Sequence, residues 1–150
     1  MLQAGDKVAH DLGTDQNGNK VSIADADGRK TVLYFYPKDL TSGCSLEAQN
    51  LRDNYQALLD AGYRVVGCSV DGEASHCKFI AKYDLPFPLI ADTGHELVER
   101  FGVWAEKKMY GRTYMGTLRS TFIISPDGVI ERVIGPKEIK VRDHAAQILG

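Results

Sequence analysis

The stretch from Thr31 to Tyr36, TVLYFY, constrains this chain more than any other feature of its sequence. β-Branched and aromatic residues follow one another without polar alternation, the pattern of a strand covered on both faces. Such a strand has to lie inside a sheet with a layer on either side. Pro37 ends it, because proline has no donor for the ladder. With 150 residues, 43% apolar and 25% charged, the chain can bury about 70% of its unfolded surface around that sheet. No repeat, low-complexity tract or Gly/Ser linker interrupts it, so one domain over residues 1–150 is expected.

The pattern on either side of this strand is punctuated by turns. Asn17-Gly18, between short polar-apolar stretches that include Val21 to Ile23, predicts an amino-terminal hairpin. From Gly43 onward, Cys44, Ala48, Leu51, Tyr55 and Leu58 recur at steps of four and three, an amphipathic helix that stops at Gly62. A second buried strand follows at Arg64 to Ser69. Glu73 to Tyr83 reads as a helix with Phe79, Ile80 and Tyr83 inward, Leu89 to Ala91 as a short strand after Pro86 and Pro88, and His95 to Phe101 as a helix. Residues 119–125 and 129–134 flank Pro126-Asp127-Gly128 as a hairpin, and a helix over 139–149 closes the chain. Strands separated by helices and followed by a hairpin and a helix imply an α/β, thioredoxin-like fold: a central mixed sheet flanked by helices on both faces.

Charge and cysteine usage narrow the function. A formal net charge of -2 and a pI near 6.1 give no reason to expect nucleic acid or an anionic membrane as partner. No window approaches a membrane span, and the amino end has no apolar leader, so the cytoplasm is the expected compartment. Three cysteines without regular spacing are a poor disulfide framework, and a reducing compartment keeps them as thiols. No Cys-x-x-Cys is present, which argues against a thioredoxin-type dithiol, and His10, His76, His95 and His144 are too scattered to suggest a metal site.

Chemistry in an open α/β sheet gathers at the carboxyl ends of the parallel strands, so the segment leaving Tyr36 is the first place to look. There Pro37 to Gly43 leads into a helix whose first turn holds Cys44. Unpaired N–H groups and the positive end of the helix dipole favour a thiolate at that position, and the thiolate is the nucleophile. Ionisation alone is a limited lever. An ordinary thiol is about 3% ionised at pH 7, so complete ionisation raises its rate by at most roughly 30-fold. The remaining acceleration needs groups that align the substrate with sulfur and stabilise the departing charge; Thr41, the Gly43 and Cys44 N–H groups and a fixed cation are the candidates.

Pro37-x-x-x-Thr41-x-x-Cys44, preceded by Tyr34-Phe35-Tyr36 and followed by Glu47, resembles the active-site motif of the peroxiredoxins. The stretch from Tyr34 to Ala48 is most similar to the PrxQ, or bacterioferritin comigratory protein, subfamily, as are Phe101 to Lys107 and Met109 to Ser125 with Arg119-Ser120-Thr121-Phe122. The resemblance runs over nearly the whole chain in matching order. It implies a thiol peroxidase for hydrogen peroxide and organic hydroperoxides, without metal or prosthetic group. Cys44 would be the peroxidatic cysteine, Thr41 a hydrogen-bond partner of the peroxide, Pro37 a shield against water, Arg119 the cation that stabilises thiolate and transition state, and Glu47 the acid that orients Arg119. A thioredoxin-like dithiol or another thiol would be the reductant, and the protein a monomer or weak homodimer.

The chain departs from that subfamily at two places. Ser42 stands where a proline is often found, and Gln49 where many members carry the resolving cysteine. Some members place that cysteine in the helix formed here by Glu73 to Tyr83, which makes Cys77 the resolving candidate, about one turn before the position nearer Ile80 that the resemblance suggests. Disulfide geometry requires both helices to unwind locally for Cys44 and Cys77 to meet. A one-cysteine peroxidase resolved by an outside thiol, and a redox-sensing module without turnover, are the alternatives. Cys68, within Val65-Val66-Gly67-Cys68, reads as core packing. Trp104 and Tyr110 either line the approach to the pocket or cover the core.

Overall fold

The structure, a computed structural model, describes every residue from Met1 to Gly150. The expected amino-terminal hairpin is present: β1 (Asp11–Thr14) pairs antiparallel with β2 (Lys20–Ser22), and the Asp15 carboxylate accepts the N–H groups of Asn17 and Asn19 in the turn. β3 (Lys30–Phe35) is the covered strand anticipated from TVLYFY, with Val32 to Phe35 and the following Tyr36 fully buried.

After β3 come α1 (Ser42–Asp53), α2 (Tyr55–Asp60), β4 (Tyr63–Ser69), α3 (Glu73–Tyr83), β5 (Leu89–Ala91) and α4 (Glu96–Arg100). A hairpin of β6 (Trp104–Met109) and β7 (Arg112–Thr117) precedes β8 (Ser120–Ile124), β9 (Ile130–Ile134) and α5 (His144–Leu149). The central sheet has the order β5-β4-β3-β8-β9, parallel from β3 to β5 and antiparallel from β3 to β9. It is the mixed sheet of a thioredoxin-like fold.

Alternate residues of β3 feed two cores. Val32, Tyr34 and Tyr36 pack with Ala48, Leu51, Leu58, Phe79 and Ile148 beneath α1, α2, α3 and α5. Leu33 and Phe35 pack with Leu12, Val21, Leu97 and Val98 beneath the amino-terminal hairpin and α4. Gly67 of β4 makes room on the other face, in the core of Tyr34 and Leu89, since a Cβ there would lie 2.6 Å from Leu89 Cδ2.

Three elements differ from the sequence expectation. The helix expected from Gly43 to Gly62 breaks at Asn54, whose Nδ2 donates to the Asn50 carbonyl at 2.8 Å and competes with the Asn54 backbone N–H at 3.2 Å. The apolar stripe survives the break, with Cys44, Ala48 and Leu51 buried on α1 and Leu58 on α2.

The closing helix starts at His144 instead of 139. Side chains take the groups a longer helix would pair internally: Gln147 Oε1 accepts the Lys140 N–H, and its Nε2 donates to the Glu138 carbonyl. Asn50 of α1 accepts the Ala145 N–H at 2.8 Å and donates to the Arg142 carbonyl at 2.8 Å, tying α5 to α1.

The β6–β7 hairpin was not expected at all. Its strands are half-exposed and stand outside the central sheet, so they carry little apolar alternation. The available signal was Tyr110-Gly111, whose φ values of 52° and 75° suit the two-residue loop of a twisted hairpin. No helix of the structure is long and apolar enough to cross a membrane.

Candidate active site

Cys44 lies in the first turn of α1, beyond the carboxyl end of β3. Thr41 occupies the helix-cap position with extended backbone (φ −81°, ψ 156°), but its hydroxyl donates to the Lys38 carbonyl at 2.8 Å and does not cap the helix. Backbone pairing starts with the Ser45 N–H, on the Thr41 carbonyl at 2.9 Å. The Gly43 and Cys44 N–H groups therefore remain free where the helix dipole is positive.

The Cys44 side chain is 2% exposed, and its Sγ accepts a hydrogen bond from Arg119 Nη2 at 3.3 Å. A Cβ on Gly43 would sit 3.4 Å from the same Nη2, so glycine leaves room for the guanidinium to reach the sulfur. Arg119 precedes β8, and its Nη1 donates to Glu47 Oε1 at 2.6 Å. Glu47 is one helical turn from Cys44 and fully buried. Burial pushes its carboxyl up to about 7 against the opposing pull of Arg119. Burial also works against the charge of Arg119, but Glu47 and Cys44 outweigh it and hold the guanidinium protonated. One cation thus serves two acidic side chains.

Pro37, Lys38 and Thr41, in the segment that leads to Cys44, line a cavity of about 380 Å3. Its other wall comes from the β6–β7 hairpin: Trp104, Lys107, Met109, Tyr114 and Met115. Trp104 therefore lines the approach, braced by His95 at a ring-centroid distance of 4.3 Å. Tyr110 neither lines it nor covers the core; it is 97% exposed at the hairpin tip.

The loop between β3 and α1 is anchored by a network that sequence reasoning missed. Asp39 accepts from Tyr36 Oη at 2.5 Å and Ser75 Oγ at 2.7 Å, and meets His76 Nδ1 at 2.7 Å. The Asp39 N–H donates to Asp71, which also accepts from Ser69 Oγ. The other nitrogen of His76 faces the Ile90 carbonyl at 2.8 Å. Between these anchors Leu40 takes φ 64°, a left-handed conformation that costs a branched residue about 1–2 kcal/mol. The ligand-type atoms of Asp39, Asp71 and His76 come within 4.8 Å of one another, a cluster the scattered histidines did not announce. These atoms are already engaged in the hydrogen bonds just described.

Burial opposes a charge on His76, but the hydrogen bond and charge of Asp39 outweigh it and raise the ring above the ordinary histidine range. A raised folded value means that the pair contributes fully below about pH 6.5 and loses its contribution as pH rises through the raised value. In urea unfolding, the stability gap between the parent protein and Asp39→Asn is therefore expected to be larger at pH 6 than at pH 8.5. A gap independent of pH would mean that His76 carries no charge in the fold.

The other two thiols have different settings. Cys68 is fully buried in β4, and burial with Asp92 nearby pushes it well above the ordinary thiol range, as suits a packing residue. Cys77 is exposed on α3, its Sγ 3.4 Å from the Gln16 carbonyl of the amino-terminal hairpin. His76 points inward and Cys77 outward, so the structure assembles Cys44, Arg119 and Glu47, sets Thr41 and Pro37 at the adjoining cavity, and leaves Cys77 outside. Asp39, His76 and, apart from Trp104, the hairpin residues at the cavity were visible in the sequence only as a loop carboxylate, a lone histidine and a polar stretch.

A thiol in the first turn of a helix, with a guanidinium on its sulfur and a cavity lined by the loop before it, all beyond the carboxyl end of the central strand of a thioredoxin-like sheet, suits the class of thiol-dependent peroxidases. Residues 4–133 match the AhpC/TSA family. Peroxiredoxin Bcp of Escherichia coli strain K12 is 40% identical over 148 residues, 99% of this chain and 94% of that protein. Peroxiredoxin Bcp of Bacillus subtilis is 42% identical over 134 residues, 89% of this chain and 83% of that one. Among solved structures, a PrxQ variant of Xylella fastidiosa superposes with a TM-score of 0.87 at 32% identity, covering 99% of this chain and 94% of its own. The chain belongs to the AhpC/TSA family and, within it, to the Bcp/PrxQ peroxiredoxins.

Proposed function

We propose that residues 1–150 form one domain that reduces hydrogen peroxide and small organic hydroperoxides through Cys44. The contact of Arg119 Nη2 with Cys44 Sγ at 3.3 Å carries this reading, since it puts a fixed cation on the one thiol that also faces free helix N–H groups. The thiolate attacks one oxygen of ROOH, the O–O bond breaks, and RO− leaves and takes up a proton to become ROH. Cys44 retains the transferred OH as sulfenic acid. Arg119 and the Gly43 and Cys44 N–H groups balance the charge that moves from sulfur to the departing oxygen. The Thr41 hydroxyl, already committed as a donor to Lys38, offers its lone pairs to the incoming O–H. Pro37 excludes water from the sulfur, and Glu47 orients Arg119. The apolar wall of Trp104, Met109, Tyr114 and Met115 suits an alkyl group, in keeping with the alkyl peroxide reduction named for a Xanthomonas campestris bacterioferritin comigratory protein of known structure.

Resolution follows when Cys77 attacks the sulfenic sulfur, releasing water and forming a disulfide, which a thioredoxin-like dithiol in the cytoplasm then reduces. Cys77 reaches Cys44 only if α1 and α3 unwind. The Asp39 bonds to Ser75 and His76 link the segment before α1 to the first turn of α3. The outward direction of Cys77 favours a second reading, a one-cysteine cycle resolved by an outside thiol. The protein would act as a monomer or weak homodimer in either case.

Mapping the thiols by mass spectrometry after one equivalent of peroxide tests both. Oxidation is expected at Cys44, followed by an intramolecular Cys44–Cys77 link. A persistent sulfenic acid with free Cys77 selects the one-cysteine cycle. Oxidation that starts at Cys77 or Cys68 overturns the assignment of Cys44.

A further inference from the structure

The β6–β7 hairpin carries three cations that enter no ion pair, and the chemistry at Cys44 gives two of them, Lys108 and Arg112, no task. Met109, Tyr110, Tyr114 and Met115 of the same hairpin are 42 to 97% exposed and make up four of the seven large apolar side chains that the fold leaves exposed. Single apolar side chains are ordinary on a protein surface; a cluster of them on one element outside the central sheet marks a contact.

The register brings the apolar and basic groups together. Met109 lies opposite Arg112 and Lys107 opposite Tyr114, and directly opposed residues of an antiparallel pair share a face. Each strand has six residues, so the tip at Tyr110-Gly111 stands about 20 Å from the Trp104 end. At that tip the almost wholly exposed Tyr110 has Lys108 two positions before it and Arg112 two positions after it.

Charge indicates what covers this patch. Residues 104–117 hold Lys107, Lys108 and Arg112 against Glu106, a local charge of +2 in a chain of net -2, which leaves -4 for the rest. The net charge that gave no reason to expect a membrane therefore hides a separation. It turns the hairpin toward a negative surface and the remainder of the molecule away from it. A second copy docked on the hairpin by two-fold symmetry would set +2 against +2. An aromatic ring at a narrow, convex tip with cations beside it suits a lipid headgroup layer, where tyrosine rings settle and lysine and arginine reach phosphates.

We propose that the β6–β7 hairpin is a docking surface for an anionic lipid bilayer, with Tyr110 entering the headgroup layer and Lys108 and Arg112 meeting lipid phosphates. Met109, Tyr114 and Met115 also line the cavity that Thr41 borders, so docking turns that cavity toward the bilayer. The contact is peripheral and reversible, because few side chains make it. It does not depend on the reading of Cys44.

Co-sedimentation of the reduced protein with lipid vesicles tests the proposal. The protein is expected to bind vesicles of phosphatidylglycerol and phosphatidylcholine at about 0.05 M salt, and at least about tenfold more weakly at about 0.5 M salt or with phosphatidylcholine alone. Lys108→Glu combined with Arg112→Glu removes two attractions of about fivefold each, so the partition coefficient should fall by about 25-fold or more. Tyr110→Ser should lower it by about fivefold. These three side chains are exposed and lie outside the cavity, so the variants should fold and consume hydrogen peroxide as the parent does.

Cys44→Ser should bind vesicles as the parent does, which separates failure of this inference from failure of the peroxidase reading. Absence of binding to anionic vesicles at low salt, equal binding to neutral ones, or parent-like binding by the hairpin variants overturns the proposal. A parent that sediments as a dimer without lipid, with Tyr110→Ser a monomer, overturns it in favour of a contact between copies.

Discussion

Cys44→Ser is expected to fold normally and lose peroxide reduction altogether, by at least about 10^6-fold if the parent has an ordinary enzymatic acceleration. The two side chains are close in volume, and a serine hydroxyl still accepts the Arg119 hydrogen bond, so neither α1 nor the guanidinium has reason to move. The reaction is lost for two chemical reasons. A hydroxyl beside Arg119 does not ionise near neutrality, and oxygen has no counterpart of the sulfenic acid that stores the transferred OH. Cys68→Ser should do the opposite. It places a hydroxyl in the core beside Val66 and Ile90, costing roughly 1–3 kcal/mol in urea unfolding, while activity per folded molecule is retained. A Cys44→Ser protein that still consumes peroxide would remove the mechanism.

The second large effect belongs to Arg119→Ala. The variant loses the donor on Cys44 Sγ and the fixed positive charge beside it, and kcat/KM for peroxide is expected to fall by about 10^2 to 10^3. Stability responds differently, for a reason specific to Glu47. Breaking a buried ion pair usually costs about 3–5 kcal/mol because the remaining charge has no partner. Glu47 already stands at about 7, and without Arg119 it rises further and escapes the penalty by taking a proton. Urea unfolding should therefore find Arg119→Ala destabilised modestly at pH 6 and more severely at pH 8.5. Arg119→Lys should lie between parent and alanine in activity, because a single ammonium lacks the fork that lets guanidinium reach sulfur and carboxylate at once. Parent-like turnover in Arg119→Ala would leave the 3.3 Å contact without a catalytic purpose.

Much of this arrangement could be read from the chain because the relevant signals are local. An uninterrupted β-branched and aromatic run needs cover on both faces, and β3 has it. Glycine and proline punctuation placed α3 and β5 at their observed residues and the tip of the β8–β9 hairpin at Pro126 to Gly128. The motif from Pro37 to Cys44 placed the thiol at a helix start, since strand end, loop and first helical turn are contiguous in sequence. Where competing side-chain bonds decided, the reading missed: Asn54 divides one helix into two, and Gln147 with Asn50 shortens the last. The β6–β7 hairpin escaped notice because its strands face solvent and the cavity instead of a core, so burial imposed no alternation on them.

From residue order alone, then, come most of the strands and helices, the expectation that Cys44 is the reactive sulfur and, through resemblance, a partner arginine 75 positions further on. Only the folded chain decides that Arg119 spans Cys44 and Glu47, that His144 stands behind the carboxyl, that Asp39 ties the reactive loop to α3, and that Cys77 looks outward. Periodicity and turn chemistry are properties of neighbouring residues and survive in a linear string. Ion pairing, burial and the direction of a side chain depend on which distant groups the sheet and its covering helices bring together, and that is settled when the core packs.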